Sequence, residues 1–332
     1  MTPLPSIALA TQAARLSKSV PPPADPFRLR VADEVAAALS QGRPVVALES
    51  TLIAHGLPWP DNIELAQQVE ATVRAGGAVP ATVAMIAGEL CVGLDLEQIE
   101  SVARGHFVKV AAADLGPLVA TGGNGATTVS ATVYAAARAG ISVFATGGIG
   151  GVHRGDAWDV SSDLTTLASE PVCVVSAGAK AILDLARTLE YLETLGVPVI
   201  GYGTDELPAF YSRRSGLRLP HRVDTKEQAA ALLRAHFALH PHRGLLLCNP
   251  IPESSALDDG LIENAISSAL HSAEAAHISG KGLTPFLLSA IAKETENRSI
   301  LANRALVLAN AQVAADVAFE LAASQGPQAD AT

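Results

Sequence analysis

The 332-residue sequence holds only three cysteines, Cys91, Cys173 and Cys248. Each stands singly in an apolar run, so there is no CxxC pair, no zinc pattern and no even disulfide framework, and a reducing, cytoplasmic setting is expected. Basic residues are also few: 23 lysines and arginines face 33 aspartates and glutamates, a formal net charge of −10. That balance argues against nucleic acid or an anionic membrane as partner, and an anionic substrate needs a local cationic pocket. Charged residues reach only 17%, against roughly 25% in an average soluble protein. With 49% hydrophobic residues, this excludes disorder for most of the chain. Gly, Pro or charge interrupts every long apolar run before the ~20 residues of a membrane span. Nucleotide-binding signatures are missing too: after Gly148 and Gly150 the third glycine of GxGxxG falls at His153, and GxxxxGK[ST] is absent.

What is present is a rhythm. From residue 31 short Val- and Ala-rich runs alternate with amphipathic stretches of about 10–15 residues, the pattern of an α/β protein. Strands are predicted at 45–48, 81–86, 107–110, 142–146, 172–176, 197–202 and 244–248. Helices are predicted at 33–41, 62–75, 96–103, 127–139, 179–194, 226–240, 258–276, 285–294 and 300–323. Strands apolar on both faces imply a mostly parallel central sheet in a three-layer α/β/α arrangement, with ligands gathered where strand C-termini meet helix N-termini. No internal repeat or linker divides residues 31–325, which read as one compact domain. Residues 1–30, with Pro21-Pro22-Pro23 and no acid before Asp25, read as a disordered N-terminal extension faintly like a targeting segment, and 326–332 as a flexible tail.

Several polar residues are hard to explain as structure alone. Glu49 follows the apolar strand 45–48, where burial would raise its pKa and suit it to general acid work; it would equally serve as a cap for the next segment. Lys180 sits in a strand-to-helix turn, where desolvation and a positive helix end would favour a neutral, nucleophilic amine. The chain uses 6 lysines against 17 arginines, so a lysine here hints at a need for an amine rather than a charge. Lys109, inside an apolar strand, would bind an anion or guard a sheet edge. The run 146–155 brings glycine backbone near a ligand and offers His153 and Arg154 to an anion. Thr127, Thr128 and Ser130 open a helix, as an anion site or as ordinary caps. Asp159, Ser161 and Asp163 share a face if that stretch is extended, with hard oxygen ligands suited to Mg or Mn; a helix beginning at Leu164 would make Ser162 or Asp163 a plain N-cap instead.

Taken together, ALESTLIAHGLPWPDN (47–62), GAVPATVAMIAGEL (77–90), GATTVSATVYAA (125–136), TGGIGGVHRG (146–155), SAGAKAILDLARTLEYLETLGVPV (176–199), PAFYSRRSG (208–216), NPIPE (249–253) and TPFLL (284–288) resemble the pseudouridine-5′-phosphate glycosidase family. The resemblance implies reversible cleavage of the C–C glycosidic bond of pseudouridine 5′-phosphate to uracil and ribose 5-phosphate. It also implies one divalent ion per subunit, usually Mn2+ with Mg2+ or another ion possible, and a homotrimer. By position it implies Lys180 as the nucleophile toward ribose C1′, Glu49 as the acid protonating the uracil carbon, and Asp159 as the metal ligand. Lys109, Val129 and Ser161, Ser162 and Asp163 would contact substrate, together with the hydroxyls of Thr127 and Thr128; His153 and Asn303 would belong to the pocket. Two departures from the family pattern are Ala111-Ala112-Ala113, where many relatives carry serine and basic residues, and the shortened 155–158 link before Asp159. Rival readings are a Schiff-base aldolase acting on a phosphosugar, separated by a requirement for uracil, and a non-catalytic nucleotide-binding regulator. Against the regulator stands the joint presence of Glu49, Lys180 and Asp159.

Overall fold

The computed structural model describes residues 29–155, 158–278 and 282–323. The expected N-terminal extension and C-terminal tail, like Asp156 and Ala157 of the shortened link, lie outside the described residues apart from Leu29 and Arg30, which are strand. Among the described residues thirteen strands form: β1 Leu29–Val31, β2 Val45–Leu48, β3 Val79–Ile86, β4 Glu89–Val92, β5 Val108–Val110, β6 Gly125–Thr127, β7 Val143–Ala145, β8 Val152–His153, β9 Cys173–Ser176, β10 Leu183–Asp184, β11 Val199–Tyr202, β12 His221–Val223 and β13 Leu245–Cys248.

Eleven of them make one sheet in the order β1-β4-β3-β2-β7-β9-β13-β11-β12, with β6 pairing β3 and β5. The pairs from β3 through β12 along this path are parallel, as expected for strands such as Val45–Leu48, Cys173–Ser176 and Leu245–Cys248 that are buried at every residue. The eight-residue β3 is long enough to serve two neighbourhoods. Its first half pairs β2 in parallel, and its second half pairs β4 and β6 antiparallel.

Helices cover both faces. The helix Arg298–Ala323 crosses β2, β7 and β9 and packs on the helices Asp61–Ala75 and Lys226–Leu239. On the opposite face Val129–Ala139 lies on β2, β3 and β7 beside Ser162–Leu167. By length and composition Arg298–Ala323 would suffice to cross a bilayer, but half of its apolar window is buried inside the protein, as befits a core helix.

Two expected boundaries move. The helix predicted from 179 begins at Leu185, with Asp184 accepting the Arg187 N–H at 2.9 Å as its N-cap. Residues 177–180 run instead alongside 147–149: Ala177 N–H donates to Gly147 O, Ile149 N–H to Gly178 O and Lys180 N–H to Ile149 O, at 2.9, 3.0 and 3.0 Å. The helix predicted from 127 begins at Val129, because Gly125–Thr127 is claimed by β3 and β5 as a strand.

Candidate active site

In the sheet order β2-β7-β9, the C-terminal ends of three parallel neighbours carry Glu49, Thr146 and, four residues past β9, Lys180. β3 follows β2 on one side while β7 returns on its other side, so the chain reverses direction of growth between β2 and β7. Such a switch point opens a crevice at the strand ends, where α/β proteins bind ligands. Glu49 stands in it. The Thr146 hydroxyl donates a short hydrogen bond to its Oε1. Burial pushes the Glu49 carboxyl above the ordinary glutamate value, against the pull of Lys180, the Thr146 bond and Lys109, while Asp163 adds to the rise. Burial thus acts on Glu49 in the direction that general acid work requires.

Three connected spaces make up the cleft. An inner chamber of about 250 Å³ is lined by Glu49, Lys109, Thr128, His153, Asp159, Ser161, Ser162, Asp163 and Lys180. A narrow throat of about 60 Å³ shares Glu49, Lys109 and Lys180 with it and adds Thr146, Phe210, Leu288 and Asn303. An outer chamber of about 540 Å³, also reaching Asn303, opens past His55 and Tyr211. Most of the residues singled out in the sequence thus meet in one place. Thr127 and Val129 lie behind the wall. The Thr127 hydroxyl donates to Val83 O at 2.7 Å and accepts from Thr132 at 3.0 Å, and the Val129 side chain is buried. What Val129 can offer is its backbone N–H, which as the first of a helix has no intrahelical partner.

The inner chamber is polar by construction. Ser130 Oγ meets Thr128 Oγ1 at 3.0 Å, accepts from Ser162 Oγ at 3.1 Å, and sits at the start of Val129–Ala139. Hydroxyls and helix-start N–H groups beside Lys109 suit an anion. Burial holds the His153 imidazole below the ordinary histidine value, Asp159 pulling the other way and Lys109 and Lys180 reinforcing the shift.

Three expectations are corrected. Lys180 does not open a helix, since the helix starts five residues later, so no helix end acts on it. Arg154 is not held out to an anion: it pairs with Glu263 at 2.6 Å and donates to Ala181 O and Leu183 O, clamping the segment after Lys180. Glycine backbone does line the cleft, at Gly147, Gly148 and Gly150, and a Cβ at Gly150 would come within 2.3 Å of Ser161 Oγ and 2.8 Å of Asp163. Finally, Asp159, Ser161 and Asp163 do not share one extended face. Ser161 caps the helix Ser162–Leu167, and Asp163, inside that helix, accepts from Ser130 N–H at 2.8 Å and Gly150 N–H at 2.7 Å.

Among the described residues no group of three His, Cys, Asp or Glu side chains is arranged to hold a metal. With both Asp163 oxygens engaged by backbone and Glu49 hydrogen-bonded to Thr146, Asp159 is a further carboxylate on the chamber wall, which it shares with Ser161 and Ser162. One carboxylate among oxygen donors fits a hard dication that takes its other ligands from water and substrate. Residues that sequence reasoning passed over are Thr146, Phe210 and Thr284. All three fall inside blocks quoted above, but only the fold shows that they face Glu49 and Lys180.

Residues 34–320 match the family described as Indigoidine synthase A like protein. The chain is 59% identical over 297 residues to the pseudouridine-5′-phosphate glycosidase of Herpetosiphon aurantiacus, covering 89% of this chain and 98% of that one. Against the protein of the same name from Caldanaerobacter subterraneus subsp. tengcongensis it is 52% identical over 294 residues, 88% of this chain and 96% of the relative. Its fold superposes on the prealnumycin C-glycosynthase AlnA in complex with ribulose 5-phosphate with a TM-score of 0.83 at 43% identity, covering 90% and 98% of the two chains. An indigoidine synthase A-like protein from Thermotoga maritima gives 0.82 at 35% identity, covering 90% and 97%. With its blocks, its sheet and its cleft all in agreement, the chain belongs to the pseudouridine-5′-phosphate glycosidase family.

Proposed function

We propose that the protein catalyses reversible cleavage of the C–C glycosidic bond of pseudouridine 5′-phosphate, giving uracil and ribose 5-phosphate. The observation that carries this reading is the meeting of Glu49 and Lys180 in one cleft, on strand ends flanking the β2/β7 switch point. A carbon leaving group departs only when protonated, so the chemistry needs both an acid and a nucleophile. Lys180 Nζ attacks C1′ as the ring C1′–O bond breaks, opening the ribose, and the proton lost from the new C1′–N ammonium passes to the departing ring oxygen as its hydroxyl. Glu49 then delivers its proton to the uracil carbon as the C1′–C bond breaks, and the lysine lone pair closes a C1′=N iminium. Water hydrolyses that Schiff base, releasing ribose 5-phosphate and the lysine.

Other chamber residues take binding roles in this reading. Lys109, Thr128, Ser161, Ser162, the Asp163-held turns and the Val129 N–H receive the sugar phosphate; Thr127 holds the floor beneath them. His153 lines the sugar side, and Asn303 stands at the throat where the base would lie. Asp159 would hold one divalent ion, Mn2+ foremost with Mg2+ as an alternative, supplying positive charge against the phosphate. A cytoplasmic homotrimer belongs to the same reading; the buried, unpaired state of all three cysteines supports the reducing compartment, and light scattering tests the assembly.

The test is mass-spectrometric detection of pseudouridine 5′-phosphate from uracil and ribose 5-phosphate, with manganese or with chelator. Product that disappears with chelator is expected. Borohydride added with ribose 5-phosphate alone should leave a stable adduct on the peptide bearing Lys180, and its absence from active protein would remove the Schiff-base step.

A further inference from the structure

A buried amide lies two steps behind the acid. Asn310, in the middle of Arg298–Ala323 and fully buried, donates from Nδ2 to Thr146 O at 2.8 Å and to Gly147 O at 3.3 Å. Its Oδ1 accepts from Asn249 Nδ2 at 3.0 Å. The orientation of this amide is set by chemistry: two carbonyl oxygens require the NH2 end, and Asn249, itself just past β13, supplies the donor for the other. The turn so held is the one that carries the Thr146 hydroxyl onto Glu49 Oε1. A leucine in the same place would pack equally well against the sheet, yet it would leave the two carbonyls without this donor.

We propose that Asn310 is a positioning residue for the acid: it locks the Thr146–Gly147 turn so that Thr146 holds Glu49 Oε1 and the transferable proton is left on Oε2. The proposal rests on the reading of Glu49 as the acid, and it adds a chain of command, Asn249 to Asn310 to Thr146 to Glu49, that spans β13, the last helix, β7 and β2. Each link is a hydrogen bond between residues far apart in sequence, so the arrangement exists only in the folded protein. The charged groups that face Glu49 are Lys180, Lys109 and Asp163, none of which is altered by changing Asn310.

The Thr146 bond stabilises the charged carboxylate, so loosening it moves the Glu49 titration to higher pH. Asn310→Leu should therefore raise the alkaline limb of the cleavage pH profile and lower kcat on the order of tenfold or more, with KM little changed. Thr146→Val should do the same more strongly, and Asn310→Leu added to Thr146→Val should cost nothing further, because the first acts through the second. Asn249→Ala, which keeps Asn310 but frees its Oδ1, should give a smaller shift of the same sign and serves if Asn310→Leu fails to fold. Titration of the Glu49 carboxyl by 13C NMR in the resting protein, assigned with Glu49→Gln, reads the same shift without substrate. Inactive wild-type protein would count against the functional reading, whereas the NMR shift would still decide the positioning role. A folded Asn310→Leu with an unmoved Glu49 titration, or losses that simply add to those of Thr146→Val, would overturn it.

Discussion

At the scale of single residues the decisive quantity is the proton on Glu49. Its folded value lies above the ordinary 4.5 because burial disfavours the anion. In cleavage the protonated form of Glu49 is the active one, so its titration sets the alkaline limb, and the rate should fall as pH rises through that value. Stability follows the same sign. A group raised on folding favours the folded state fully below 4.5 and loses that contribution as pH climbs through the folded value, so Glu49→Gln should gain stability relative to wild type above 4.5, read from urea midpoints across pH. The same variant should lose about 10²–10⁴ in rate while still binding ribose 5-phosphate by calorimetry. Lys180→Ala should abolish turnover yet leave the protein folded, since the backbone bond from its N–H to Ile149 O survives the change, as circular dichroism would show. An active Lys180→Ala protein would end its assignment as nucleophile.

At the scale of elements, a pairing between two loops past the strand ends sets where Lys180 stands. The segment 177–180 is strung along 147–149 by backbone bonds, and Gly178 permits this with φ +82 and a Cβ position only 2.5 Å from Pro208 O. Any side chain there meets both strain and a backbone clash. Gly178→Ala should thus cost on the order of 1–3 kcal/mol and displace Lys180, so that thermal unfolding and kcat fall together. Sequence patterning cannot see this pairing. An amphipathic run from 179 to 194 reads as one helix, whereas the true start at Leu185 is set by the Asp184 cap and by the competing backbone partner at Ile149. The same competition turned Thr127 from the expected helix start into the end of the strand Gly125–Thr127.

At the scale of the whole molecule, a −10 chain with a phosphorylated sugar as its proposed substrate must concentrate its positive groups, and Lys109 and Lys180 share one chamber with Thr128, Ser161 and Ser162. The sheet is one continuous unit from β1 to β12, with Arg298–Ala323 seated across its middle. Unfolding should therefore be a single transition, coincident by far-UV circular dichroism and calorimetry. Overpacking the helix contact, where a Cβ on Gly76 would already meet Ala315 at 2.6 Å, should be expensive: Ala315→Leu is expected to cost about 1–3 kcal/mol in urea unfolding.

Periodicity and local chemistry determined the α/β class, the parallel core strands, most helices within a residue or two, and the candidacy of Glu49, Lys180, Lys109 and Asp159. Those features depend on near neighbours in the chain, which is why they could be read there. Tertiary structure alone decided that Asp163 is bound by Ser130 and Gly150 backbone, that Arg154 clamps the Lys180 segment rather than an anion, and that Thr146 and Asn310 stand behind the acid. Each of these is a hydrogen bond across 13 to 164 positions of sequence, and no local pattern encodes a partner that distant.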